Sequence, residues 1–378
     1  MKKSTTRKIL AAILLAALLI AAIAGCTSNA ADTPPASGNQ DTQNTSQTPA
    51  TSSASASANT EASQSPEPSA NTSPITIVWY PNESSNTHED IRAEVERLVE
   101  QATGRKAQTK TTTDYTIAIQ SIASGSADIA MAMGAVGYIE AKNQNPEVNV
   151  MFVNADKNGS LDEAKYFAWI CVPTEKADLY KDGNSYSIEN IKGQKMSFVS
   201  SSSTSGFRVP TSSIISHFAS DNLTEDDLLP DGDFFKEVYF GGSHQGSTIN
   251  LITGNADVAA FCDIELAAYI QLKEGVENTV GAVYEIRPDA DAPFDAHAGK
   301  EFTVIASTPV FNGPNVVNPQ NLSEQEIKAI VDLFTSKEVA DNEKLFYDAT
   351  VEGAFGLYKI ASSYGYVVTA DSWYDPYR

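Results

Sequence analysis

Residues 195–218 read KMSFVSSSSTSGFRVPTSSIISHF. Lys195 to Ser200 is an apolar-leaning run that predicts a strand. Ser201-Ser202-Ser203-Thr204-Ser205-Gly206 is a hydroxyl-rich turn. Ile214, Ile215 and Phe218 then recur at helical spacing on one side. Pro210 is compatible with this helix because it falls in the first turn, where no amide donor is needed. Strand, polar turn and helix in succession are the repeating unit of an α/β fold.

The same unit recurs on both sides. Upstream, Ile75–Tyr80 predicts a strand, and Thr87-His88-Glu89-Asp90 has the form of a capping box. Ile91, Val95, Leu98 and Val99 give a helical stripe that stops at Gly104. A strand at 107–112 leads to Asp114-Tyr115, where Asp114 can cap a helix through about Ser124, and Asp128 to Met131 is another short strand. Downstream, the strand 237–240 leads through Gly241-Gly242-Ser243-His244-Gln245-Gly246 into a helix from Ser247 to about Thr253. Repeated βα units imply mostly parallel sheets, with ligands at strand C-termini and the helix starts that follow them.

A hydroxyl-rich turn at a helix start suits an oxyanion. Free backbone N–H groups and the positive end of the helix dipole face the ligand, and Ser and Thr add donors. The chain carries a formal charge of −22, which becomes more negative once the basic leader is removed. Nucleic acid and anionic surfaces are therefore excluded as partners, and a bound anion must be held by local dipoles and hydroxyls. Cys171 and Cys262 sit in apolar runs, as buried thiols do, although spacing alone leaves a disulfide open. His88, His217, His244 and His297 lack ligand-like spacing, so neither a zinc site nor any other cofactor is expected.

The first 25 residues read as a leader. Lys2, Lys3, Arg7 and Lys8 precede the apolar run Ile9 to Ile23, which ends at Ile23-Ala24-Gly25-Cys26. This tetrapeptide resembles a bacterial lipobox, with Cys26 as the lipidated residue and an extracytoplasmic, membrane-anchored protein as the expected product. From residue 27 to about 73 there is no aromatic, aliphatic or basic residue beyond Ala. Such a segment cannot bury enough apolar surface to order itself. As the tether, 26–73 has an expected reach on the order of 35–40 Å. The remaining chain of about 300 residues is long enough for a two-lobed α/β protein.

Four segments resemble the substrate-binding proteins of phosphate, phosphite and phosphonate ABC transporters. They are Asp114-Tyr115 with Ser126-Ala127-Asp128-Ile129-Ala130; Lys165-Tyr166-Phe167; Ser203-Thr204-Ser205-Gly206-Phe207-Arg208-Val209-Pro210; and Gly242-Ser243-His244 with Asp257-Val258-Ala259. The likeness runs over most of 74 to about 340. It implies the type II periplasmic-binding-protein fold, two α/β lobes joined by two crossing strands around a ligand cleft. The implied lobes are 74–171 with 306–378, and 172–305, with crossings near Trp169–Pro173 and Phe302–Pro309. It further implies that Tyr115, Tyr166, Ser203, Thr204, Ser205 and His244 contact a phosphorus oxyanion, with Asp263 or Glu265 as the cleft acid. Where family members that bind aminoalkyl phosphonates carry an Asp, this chain has Pro314, which disfavours an ammonium-bearing ligand. The implied partners are a membrane permease and an ATPase, and the protein itself is expected to be monomeric.

Two other functions compete. A serine hydrolase would use Ser205 as nucleophile, His244 as base and Asp263 as orienter, but the chain lacks a Gly-x-Ser-x-Gly elbow. A binding lipoprotein for a sulfonate or a vitamin precursor would share the fold, and the Ser-Thr-Ser block favours the oxyanion over it.

Overall fold

The computed structural model describes residues 71–378, Glu352 apart. The leader, Cys26 and the tether up to residue 70 lie outside the described residues. Among the described residues, no helix is long and apolar enough to cross a membrane.

Two sheets organise the fold. In the first, the spatial order is Tyr366–Val367, Asn149–Asn154, Pro314–Val317, Ile129–Ala130, Ile75–Trp79 and Ala107–Thr111. Ile75–Trp79 runs parallel to both of its neighbours, as the βα repeats require. In the second, the order is Ile270–Glu274, Val283–Ile286, Glu301–Phe311, Lys165–Pro173, Val258–Cys262, Lys195–Phe198 and Glu237–Phe240, the last three mutually parallel. Lys165–Pro173 and Glu301–Phe311 pair antiparallel over their whole length, from Phe302 opposite Pro173 to Phe311 opposite Lys165. The chain leaves the first sheet after Asn154 and returns to it at Pro314.

Strand alternation explains how each sheet is covered on both faces. Ile75, Ile77 and Trp79 pack with Val95, Leu98 and Val99 of the helix Glu89–Thr103 and with Ile330 and Phe334 of the helix Glu324–Phe334. Val78 and Tyr80 point the other way, onto Ile119 and Ile122 of the helix Tyr115–Ser124 and Tyr138 of the helix Ala135–Gln144. In the second sheet, Ile170 and Val172 join Phe198 and Phe207 on one face, while Trp169 and Cys171 join Phe261 and Phe302 on the other. Fully burying each such large apolar side chain is worth about 1.5–3 kcal/mol. Cys171 lies opposite Ala259, and Cys262 opposite Ala168; both are buried free thiols.

Local starts differ from the sequence expectation in two places. No capping box forms at Thr87: the helix Glu89–Thr103 starts after a tight turn, and its N-cap His88 makes no side-chain cap bond. Ser85 Oγ instead lies 3.0 Å from His88 Nδ1, and the Arg92 guanidinium takes up the carbonyls of Glu83 and Ser85. Further on, the helix expected from Ser247 begins at His244, because Ser243 Oγ accepts the Gly246 N–H at 3.0 Å and so caps it three residues earlier. By contrast, Asp114 caps as expected, accepting the Thr116 N–H at 2.7 Å, and Pro210 sits in the first turn of Val209–His217.

Candidate functional site: a cavity between the two sheets

Strand ends from both sheets supply the site. Ile75–Trp79 is followed by Asn82 and Glu83, Ala107–Thr111 by Tyr115, and Ile129–Ala130 by Ala132 and Gly134. From the second sheet, Lys195–Phe198 leads to Ser203, Thr204 and Ser205, Glu237–Phe240 to His244, and Val258–Cys262 to Glu265. Tyr166 enters from the start of Lys165–Pro173. Together they line a cavity of about 50 Å³. At roughly 10–15 Å³ per water-sized sphere, it has room for about four such groups.

The hydroxyl turn is held so that its protons remain available. Ser203 Oγ accepts the Gly206 N–H at 3.1 Å, and the Arg208 N–H reaches the Ser203 carbonyl at 3.0 Å, closing a wide helical turn. Thr204 Oγ1 accepts the Val136 N–H at 2.9 Å from across the cleft. A hydroxyl whose lone pair receives a backbone donor can still give its own O–H to a ligand. The crossing needs a glycine at 134, where a Cβ would come within 2.8 Å of Thr204 Oγ1. Ser205 hydrogen-bonds the Tyr166 phenol.

Asn82 joins the two sides. Its Oδ1 accepts the His244 N–H at 3.2 Å and its backbone carbonyl accepts from Gln245 Nε2 at 3.3 Å. Since Oδ1 faces that backbone donor, Nδ2 faces Tyr115 Oη, at 2.8 Å. With Ser202 Oγ donating to Glu140 Oε2 at 3.0 Å, these bonds hold the cleft closed. His244 Nδ1 accepts the Cys262 N–H at 3.0 Å, so the ring proton resides on Nε2. Burial lowers the His244 pKa to about 3, which keeps the ring a neutral donor.

The acids divide into two roles. Asp263 is not among the cavity-lining residues; its Oδ1 accepts the Phe167 N–H at 2.9 Å and ties two strands together. Glu265 does line the cavity, beside Glu83, to which it is hydrogen-bonded. Burial, then the neighbouring Glu265 charge, push Glu83 well above the usual carboxylate range, and burial pushes Glu265 up to about 7. Two carboxyls in contact must share a proton. Glu83 Oε2 is buried with no hydrogen-bond partner, the kind of orphan a ligand satisfies. Among the described residues, no Lys or Arg lines the cavity.

Pro314 belongs to a strand, opposite Val153, and the cavity wall at that point is Gly313. Asn315 is committed to the fold, accepting the Ala132 N–H at 2.9 Å. Asn82 and Glu83, in the run Tyr80-Pro81-Asn82-Glu83, carry no motif in the sequence; only the strand end before them and the capped His244 helix facing them show their place. Leu357 and Tyr358 also reach the cavity, from a segment past the stretch of the sequence resemblance.

Comparison with known proteins gives the family and the fold. A family described as "ABC transporter, phosphonate, periplasmic substrate-binding protein" matches residues 77–356. The phosphate-import protein PhnD of Mycolicibacterium smegmatis is 25% identical over 187 residues, 48% of this chain and 53% of that protein. The chain thus spans about half the length of this curated relative. A binding-protein component of an ABC phosphonate transporter from Pseudomonas aeruginosa superposes with a TM-score of 0.55 at 19% identity, covering 80% of this chain and 83% of that one. PhnD1 from Prochlorococcus marinus, solved with methylphosphonate, gives 0.53 at 14%, covering 80% and 94%. Both neighbours share the two-lobed periplasmic-binding-protein fold. Since the family match takes in the whole second sheet and, Ile75, Thr76 and the edge strand Tyr366–Val367 apart, the first, the chain belongs to the phosphonate-type periplasmic substrate-binding proteins of ABC transporters.

Proposed function

We propose that this protein captures a small phosphorus oxyanion (phosphite, phosphate or a simple phosphonate) and delivers it to the permease and ATPase of an importer. Lipid on Cys26 holds it at the outer face of the membrane, and the tether gives the monomeric binding domain its reach. The observation that carries this reading is the convergence of Ser203, Thr204, Ser205, Tyr115, Tyr166 and neutral His244 on one small cavity that no Lys or Arg lines among the described residues. Such a set offers donors to an anion without a basic field. The Glu83–Glu265 pair needs a proton between its members, so it favours an anion that brings a P–OH over one that has none to give.

Binding, not catalysis, fits the same atoms. His244 Nδ1 is taken by the Cys262 amide and its Nε2 is protonated, which leaves no basic nitrogen for Ser205. Asp263 Oδ1 is taken by the Phe167 amide. Calorimetric titration of the purified protein with phosphite, phosphate, methylphosphonate, aminoethylphosphonate and sulfate tests the reading. Binding of phosphorus oxyanions with no sulfate binding is expected. Tight sulfate binding would overturn the carboxyl argument, and silence with every phosphorus ligand would overturn the function.

A further inference from the structure

The family match ends at residue 356, yet the next two residues, Leu357 and Tyr358, reach the ligand cavity. They are not a loose tail against it. The Leu357 and Tyr358 amides donate to the carbonyls of Lys344 and Leu345 at 3.1 and 2.8 Å. Tyr358–Lys359 forms a short parallel pair with Phe346–Tyr347, and the buried Tyr358 ring packs on Phe346 with centroids 5.6 Å apart. Beyond it, Tyr366–Val367 joins the edge of the first sheet beside Asn154 and Val153. The last turn then pins the passage between sheets: Tyr374 Oη donates to the Asn312 carbonyl at 2.9 Å, and the Phe311 N–H donates to Tyr377 Oη at 2.8 Å. That passage leads straight into Gly313, another part of the cavity wall.

We propose that the C-terminal segment 357–378 sets the size limit of the site, with Leu357 and Tyr358 as its specificity-determining wall, so that phosphorus can carry hydrogen, hydroxyl or methyl but not a longer alkyl chain. The proposal rests on the phosphorus-oxyanion reading. About 50 Å³ accommodates three oxygens and one further small group around phosphorus. Because the wall is anchored by backbone bonds and a ring contact within the first lobe, it cannot swing aside cheaply for a larger substituent. Glu83 and Glu265 line the same small cavity as Tyr358.

The test is a calorimetric series of phosphite, methylphosphonate, ethylphosphonate and propylphosphonate against the unmodified protein, Leu357→Ala and Tyr358→Ala. In the unmodified protein, affinity should drop about 10-fold or more with each methylene past methyl, the scale at which a tight pocket penalises a misfit. In both variants the ratio of propylphosphonate to phosphite affinity should rise at least about 10-fold. Should Tyr358→Ala fail to fold, the half-buried Leu357→Ala decides alone. Equal affinity for all four ligands in the unmodified protein, or an unchanged ratio in the folded variants, overturns the wall while leaving the function intact. No binding of any of the four overturns both.

Discussion

Thr204 Oγ1 accepts a hydrogen bond at 2.9 Å from the Val136 N–H, and the two residues belong to helix starts on opposite sides of the cleft. The bond does two things with one oxygen. It fastens the second-sheet loop to the first-sheet helix, and it turns the threonine proton away from that helix and free for a ligand. Asn82 does the corresponding work on the other side, accepting the His244 N–H with Oδ1 while offering Nδ2 to Tyr115. Ligand donors and lobe closure therefore use the same residues.

Removing one hydroxyl should consequently cost affinity more than fold. Ser203→Ala, Ser205→Ala and Thr204→Val should each weaken oxyanion binding by about 1.5–3 kcal/mol, the usual range for hydrogen bonds to charged groups. Ser203→Ala should also lower ligand-free stability by ~1 kcal/mol, through the lost cap on Gly206. Thr204→Ser, which keeps the oxygen, should bind nearly normally. Titration calorimetry with parallel melting curves checks all four.

Asn82→Ala should loosen the closed form. It removes the acceptor for His244 N–H and the donor to Tyr115 Oη, so affinity should fall by about 1–3 kcal/mol. Small-angle scattering of the ligand-free protein should show a larger radius of gyration for the variant. A variant as compact and as tight-binding as the parent would show that Asn82 is not a clasp.

Glu265 should govern pH dependence. Its folded pKa is raised to about 7 by burial, above the ordinary carboxylate value, so the folded protein holds a proton there that the unfolded chain gives up. The stability linked to that proton is fully present below the unfolded pKa and is lost as pH rises through about 7. Oxyanion affinity should fall over the same window, because Glu265 takes on a negative charge beside the bound anion. Glu265→Gln should flatten both trends and admit sulfate. Comparing variant and parent at each pH removes the ligand's own titration.

Asp263→Ala should separate the two acids. Losing the acceptor for the Phe167 N–H should cost about 1–3 kcal/mol of stability, since that donor is left without its partner. The ranking of phosphite, methylphosphonate and sulfate should not change. A variant that gains sulfate binding would return Asp263 to the cleft.

Cys26→Ala should leave ligand affinity unaltered and move the protein out of the membrane fraction. Fractionation followed by immunoblotting is enough; a variant that stays with the membrane after processing would end the assignment of Cys26 as the anchor.

Much of this was legible in the sequence because it is local. Asp114 followed by an apolar helix, or Ser203 before Gly206 and Pro210, announces its own backbone geometry, and alternation in 75–79 and 195–198 announces strands. Tyr115, Tyr166, Ser203, Thr204, Ser205 and His244 were reached through family resemblance, and the fold brings all six to one cavity. What stayed hidden is non-local. Glu83 means nothing until the chain returns Glu265 to its side. Asp263 and Glu265 stand two residues apart on one turn, and only the position of the Phe167 amide shows which of them faces inward. Thr87 had the right residues for a capping box, but Arg92 draws the preceding carbonyls into a tight turn, and the helix starts at Glu89 with His88 as its N-cap.

The division of donors between the two sheets bears on how cargo leaves. Thr204, Ser205 and His244 come with one half of the molecule and Tyr115 with the other, and among the described residues no Lys or Arg lines the cavity. Prising the halves apart by a few ångströms would strip the anion of part of its shell at one stroke and let water in to solvate it. Unloading then needs no chemical trigger. A docking surface that pulls the halves open is sufficient, and salt in the surroundings has no counter-ion in the cavity with which to interfere.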